Sequence, residues 1–378
     1  MSQVSSRLHF IDSVRGLAVI MAMLSHAIYE FGKGFLFLMP LTRTATPAFV
    51  ILFGIMLEIV YLRRIRTGTE SALIETRLLS RMITCYVLFA AITLAAFLTD
   101  RLNVRPTLKA LLFLDDGYFG IILKIYTVLF FIVVLLFPWL KRHGAVVFLQ
   151  LAFVAWTSKF LLETFFPESP YVVSFIVGNG EGFGPAILPS MTFLAFGMAF
   201  GESLSGRRGP LLWSLLLVLA VVVNTFVLSH LGTLAEIRDT WVAARWSNRP
   251  VYFAIGICST SLFLLIFWLT WCRDRVDPVS RFTALMGRQT LFVYGAGNIA
   301  LNLLPRYSGQ DPVIASALVM IFLTLLLGLA WIRSVRPDWL NRLGMGIPSK
   351  VSRAYEPAVD RCAGTIRKVL RMGSGTVS

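Results

Sequence analysis

Charge is what this sequence has least of. Only 15% of its 378 residues are Asp, Glu, Lys or Arg and 57% are hydrophobic, whereas soluble domains are roughly a quarter charged. Cysteine and histidine are scarce too, with four of each. Cys85, Cys258, Cys272 and Cys362 show neither metal-ligand spacing nor obvious partners, so no disulfide framework, zinc site or other metal is expected. No internal repeat, low-complexity block or coiled-coil run is present. The N-terminus lacks the small-residue cleavage site of a signal peptide, so its apolar stretch reads as a retained first helix. Acidic residues are outnumbered 35 to 20 by basic ones, giving a net charge of +15. The arginines sit between apolar runs rather than on an amphipathic, aromatic-laced surface, which argues against a nucleic-acid partner.

What is present is apolar sequence in helix-length runs, with a mean hydropathy of +0.75. Ten segments emerge, at 13–31, 45–62, 81–99, 118–140, 145–163, 185–203, 210–231, 250–272, 284–304 and 312–332. They predict an all-α, polytopic integral membrane bundle of about ten transmembrane helices, with residues 1–332 in the lipid bilayer as one unit. Residues 333–378 form a basic cytosolic tail, in which Lys350–Met372 can lie on the membrane surface as a helix or end without order. Arginine clusters such as Arg63-Arg64-Ile65-Arg66, Lys141-Arg142, Arg207-Arg208 and Arg273 with Arg275 fall on alternate connections together with Arg7 and Arg15. The positive-inside rule therefore places both termini in the cytosol, as expected of a multi-pass protein of the cell (inner) membrane.

The first segment carries Asp12, Arg15, His26 and Glu30. Eleven helical steps return to within about 20° of the start, so Arg15 and His26 share one face, separated by about 16–17 Å along the axis. With Arg15 at the cytosolic boundary, His26 is held near the bilayer midplane, where an ionisable group usually lines a polar cavity. A buried neutral imidazole can take a proton from a hydroxyl, Glu30 one turn on can orient it, and Asp12 can pair with Arg15. A plain alternative is that His26 hydrogen-bonds a neighbouring helix and Arg15 anchors at the interface.

Several other polar positions have double readings. Arg43 can face a cavity or snorkel. Asp115-Asp116 can contact an acceptor or cap the fourth helix. Lys124 can mark a ligand site or a displaced boundary, and Asn298 and Asn302 can hold helices together. The long outer connections, Glu163–Gly184 with its Gly178–Pro185 run and Gly232–Pro250 with Trp241, Arg245 and Trp246, suit a sugar-like acceptor or interfacial anchoring.

The Asp12-x-x-Arg15-Gly16-x-Ala18 opening, with His26 eleven residues after Arg15, resembles the membrane acyltransferase-3 family. Thr46-Pro47-Ala48-Phe49-Val50-Ile51-Leu52-Phe53-Gly54 looks like that family's second-span segment, and Gly287-Arg288-Gln289-Thr290-Leu291-Phe292-Val293-Tyr294 is similar to its late Gly-Arg-x-Ser-Leu-x-x-Tyr segment. Phe49–Tyr61 is somewhat like the subgroup that succinylates periplasmic glucans. The resemblance implies transfer of an acyl group from cytosolic acyl-CoA, as co-substrate, to a hydroxyl of an extracytoplasmic glycan, with Arg15 and His26 essential. The chain departs from the family at Phe53, where a Ser is usual, at Asn298, where a His is common, and in having no hydrolase-like domain after the tenth span.

Such a mechanism sets CoA phosphates near Arg15, Arg81 or Arg288 and makes His26 the general base. Thr44, Thr46, Tyr294 and Asn298 are candidates to stabilise the oxyanion, with Arg43 a further donor- or acceptor-binding candidate. A secondary transporter or permease for a polar or lipid-linked sugar, using His26 as its ionisable site, is the alternative.

Overall fold

The structure, a computed structural model, describes residues 9–32, 35–166, 169–179, 184–207, 209–272, 276–307, 311–335 and 347–372. Arg7, Lys33, Arg208, Arg273, Arg275 and the 180–183 part of the glycine run lie outside the described residues. Among those described, every regular element is a helix.

Each of the ten apolar segments contains helix. Seven helices are long and apolar enough to cross a membrane: α1 (His9–Phe31), the run Leu36–Arg66 that includes α2 (Ala45–Met56), α3 (Ser71–Leu98), Ala145–Phe165, Gly209–Ser229, Pro250–Trp271 and Pro312–Ser334. The fourth segment is a broken pair, Ile121–Leu135 and Phe137–His143, bent by 72°. Pro138 at the start of the second piece cannot donate a backbone hydrogen bond, which accounts for the break there. As a pair these make an eighth candidate span. The sixth segment gives only Met191–Leu204, and the ninth is broken at Gln289 into the end of the helix Pro278–Arg288 and Thr290–Leu303. Met191–Leu204 and Thr290–Leu303 have 14 residues each. Such helices reach about 21 Å, short of the roughly 30 Å hydrocarbon core.

The first two candidate spans are the most enclosed, 67% and 72% buried, while Gly209–Ser229 is only 11% buried and forms the rim. Because lipid is as apolar as leucine, close packing rather than water exclusion selects this arrangement. The sequence supplies it with glycine. A Cβ on Gly16 would sit 1.8 Å from the Thr283 carbonyl oxygen, and one on Gly287 would sit 1.8 Å from that of Asp12. Helix α1 thus crosses the helix Pro278–Arg288 backbone to backbone. Ser13 fastens the crossing by donating to the Ser280 carbonyl at 2.9 Å and accepting from the Trp271 indole at 3.0 Å.

Both long connections at the Glu30 end are partly helical. Tyr171–Val177 lies in the first, and Leu234–Trp246 in the second begins with a capping box between Thr233 and Glu236. In the tail, helix Ile347–Met372 covers the Lys350–Met372 stretch. It packs on α3 with Val359 and Ala363 buried, and Arg367 sits 3.5 Å from Glu75.

Candidate active site

At the other end of α1 from Glu30, Arg15 is held rather than snorkelling. Its Nε donates to the Gly287 carbonyl at 2.6 Å and its Nη2 pairs with Asp12 at 2.8 Å, while Arg288 approaches the same carboxylate at 3.8 Å. The three expected residues Asp12, Arg15 and Arg288 are therefore one cluster, created by the glycine crossing. From it a cavity of about 500 Å³ runs into the bundle. Its polar mouth holds Arg15, Arg81, Arg288 and Arg333, and its inner walls are mainly Phe49, Phe53, Tyr126, Phe130 and Tyr294. Arg333 escaped the sequence reading because it falls one residue past the tenth apolar segment, where a basic residue looks like an ordinary interfacial anchor.

His26 stands beyond the inner end of this cavity. Its ring packs edge to face against Tyr294, 5.9 Å between centroids, and is stacked at 4.6 Å on Phe119, which comes from the connection before Ile121. Its Nδ1 lies 2.6 Å from Asn298 Oδ1, and Asn298 Nδ2 donates to the Tyr294 carbonyl at 2.8 Å. Turning that amide over would set its oxygen against another carbonyl oxygen. The amide oxygen must therefore face the imidazole, so Nδ1 carries the proton and Nε2 keeps its lone pair. Asn298 is thus the orienting partner of the ring.

Glu30, expected in that role, is elsewhere. Its carboxylate is fully buried against Arg101, whose guanidinium also donates to the Leu301 carbonyl at 3.1 Å, and Arg306 lies 3.7 Å away. The imidazole is held from a different helix because Arg101, at the end of α3, offers the carboxylate a full counter-charge.

Other expectations resolve similarly. Tyr294 donates its hydroxyl to the Phe119 carbonyl at 2.8 Å, so it is committed to the connection above His26. Thr44 donates to the Leu41 carbonyl at 2.7 Å, and Thr46 is half-buried in the first turn of α2 without a side-chain hydrogen bond among the described residues. Asn302 ties its helix to α3 through the Ile92 carbonyl at 3.1 Å.

Asp115 and Asp116 do not cap the fourth helix, whose N-cap is Gly120. Asp116 instead accepts from the Tyr171 hydroxyl. Lys124 is no displaced boundary residue. It is buried and donates to the Asp115 carbonyl at 2.7 Å and to Tyr171 at 2.6 Å, over the Phe175 ring at 4.2 Å. These contacts clamp the segment that carries Phe119 to the helix Tyr171–Val177. Phe113, Gly117 and Phe119 all have positive φ, of 64°, 67° and 56°, a conformation unusual for a bulky residue.

No group of His, Cys, Asp and Glu among the described residues is arranged to hold a metal. No family model, curated protein or solved structure matches the chain. The fold and site define an all-helical, polytopic membrane protein with an arginine-mouthed cavity that ends near an oriented histidine.

Proposed function

We propose that the chain is an integral membrane O-acyltransferase that moves an acyl group from acyl-CoA on the cytosolic side to a hydroxyl of a glycan or similar acceptor on the other. The observation that carries this reading is the cavity that begins at Arg15, Arg81 and Arg288 and ends at Tyr294 beside His26. The arginine mouth suits phosphates and the aromatic interior suits a thin, mostly apolar arm. In this reading ten helical segments make the membrane unit and both termini are cytosolic, with Met191–Leu204 and Thr290–Leu303 as partial crossings packed inside it. The resemblance of the Asp12–His26, Thr46–Gly54 and Gly287–Tyr294 stretches to the acyltransferase-3 family supports the same reading.

The chemistry follows from the tautomer. The acceptor hydroxyl gives its proton to His26 Nε2 as its oxygen attacks the thioester carbonyl. The resulting tetrahedral oxyanion collapses, the C–S bond breaks, and the departing thiolate takes the proton from the imidazolium. Asn298 stays hydrogen-bonded to Nδ1–H throughout and keeps the ring aimed.

The test is to purify the protein and the His26→Ala variant, supply acyl-CoA and candidate glycans, and measure thiol release and ester formation. Thiol release with matching ester in the parent, reduced about 10²–10⁴-fold in the variant, is the expected result. Equal rates in both remove His26 from the mechanism. No turnover, together with solute uptake into vesicles, points to the transporter instead.

A further inference from the structure

We propose that Arg43 and Arg245, with Tyr252, form a recognition site for an anionic oxygen group, a carboxylate or a phosphate, on the side of His26 away from the arginine-mouthed cavity. Arg43 follows the short helix Met39–Thr42 and Arg245 lies in the last turn of Leu234–Trp246, both at the Glu30 end of the bundle. Arg245 is buried. Its Nε donates to the Gly184 carbonyl at 3.0 Å and its guanidinium lies 5.1 Å from the Trp246 ring, contacts that hold the group without neutralising it. The Nε of Arg43 is buried with no hydrogen-bond partner, and so is the hydroxyl of the fully buried Tyr252. The two guanidinium charges act on each other and both act on the His26 ring.

The contrast with the other arginines carries the inference. Arg15, Arg66, Arg101 and Arg367 each approach a carboxylate, from Asp12, Glu58, Glu30 and Glu75 respectively. Among the described residues no carboxylate forms an ion pair with Arg43 or Arg245. Asp116 is within electrostatic reach of Arg245, but its carboxylate accepts from Tyr171. Two like charges within reach of each other repel, and a bound anion removes that repulsion while filling the unpartnered donors of Arg43 and Tyr252. The anion site stands on these contacts alone. Only its source, an anionic acceptor or the free carboxylate of a dicarboxylic acyl chain, rests on the acyl-transfer reading.

The test has a binding arm and a turnover arm. In the first, thermal unfolding of the full chain in detergent is followed with rising inorganic phosphate or succinate, sodium chloride keeping the ionic strength constant. The parent and Arg238→Gln, an exposed arginine on the same helix, are expected to gain stability saturably. Arg43→Gln and Arg245→Gln are expected to lose the gain. Arg245→Lys, which keeps the charge but not the two-pronged geometry, should need at least several-fold more anion, so the comparison survives if a Gln variant does not fold. No gain in the parent, or an equal gain in every variant, overturns the site.

In the second arm, thiol release from acetyl-CoA and succinyl-CoA is compared with glycerol and glycerol phosphate as acceptors. A loss in Arg43→Gln confined to succinyl-CoA assigns the anion to the acyl chain, and one confined to glycerol phosphate assigns it to the acceptor. No thiol release from the parent with any pair sinks the acyltransferase reading, while phosphate-dependent stabilisation still stands on its own.

Discussion

The Glu30 carboxylate meets the guanidinium of Arg101, not the imidazole of His26 one turn before it on the same helix. This separates two acidic roles that spacing alone merges. Both partners are nearly devoid of solvent, so removing Arg101 leaves the buried Glu30 carboxylate with only the more distant and exposed Arg306. Arg101→Leu should therefore cost about 3–5 kcal/mol of stability, seen as a sharp fall in detergent melting temperature. Glu30→Gln should destabilise less and leave thiol release per folded molecule close to the parent. A hundredfold loss of turnover in a Glu30→Gln protein of normal stability would return Glu30 to the chemistry.

In the proposed mechanism Asn298 acts through His26, so its loss should be kinetic. Asn298→Leu frees the ring to rotate and to change tautomer. The expected result is a fall in kcat of about tenfold or more, with KM for acyl-CoA unchanged, because the cavity mouth is untouched. Asn298→Ser should restore part of the rate if its hydroxyl reaches Nδ1. A change confined to KM contradicts the positioning role.

Gly16→Ala places a methyl group 1.8 Å from the Thr283 carbonyl oxygen, with backbone on both sides and no flexible side chain to give way. Overpacking of this kind costs about 1–3 kcal/mol or more. The variant is expected to express poorly and to lose activity together with Arg15 placement. Gly328→Ala, where nothing lies within 4 Å of the new atom on the helix Pro312–Ser334, serves as a comparison and should cost nothing, since alanine is the better helix former. Equal melting temperatures for Gly16→Ala and the parent would show that the two helices can separate.

Asp277 caps the helix Pro278–Arg288, accepting from the Ser280 hydroxyl at 2.5 Å and its backbone N–H at 2.8 Å. These bonds hold its carboxyl below the usual aspartate range, the hydroxyl contributing most. A depressed folded value means that the stabilisation is complete above the unfolded value of about 3.9 and fades as pH drops through the folded one. The group is exposed, so the effect is at most about 1 kcal/mol. Asp277→Asn keeps an acceptor for the cap. Its melting temperature should lose that acid-side dependence, measured between pH 5 and pH 2.5 as a smaller fall than in the parent.

The sequence made the helical membrane character legible because hydropathy over twenty residues is a property of the chain alone. It also made Arg15 and His26 legible as one face of one helix, since eleven residues is close to three turns. The orienting role of Asn298 was out of reach. Its partner is 272 residues away, and an asparagine in an apolar run reads equally well as glue between helices. Glu30 misled for the same reason in reverse, because Arg101, 71 residues on, supplied a stronger partner than the neighbour at i−4. Phe119 carried no signal, since nothing in its surroundings suggested that a left-handed backbone would turn its ring onto a histidine. The two 14-residue helices also defeated hydropathy, which measures how apolar a stretch is and not where its backbone stops.

The stack of Phe119 on His26 has an electrical consequence. In the acyl-transfer reading, a cavity that opens to the cytosol and stops beside that imidazole concentrates the transmembrane voltage over the groups beyond it, where each 100 mV acts on a unit charge with about 2.3 kcal/mol. On that reading the ring that an incoming hydroxyl must reach is also part of the membrane's insulation, and swinging Phe119 aside with no substrate in its place would open a route for proton leak.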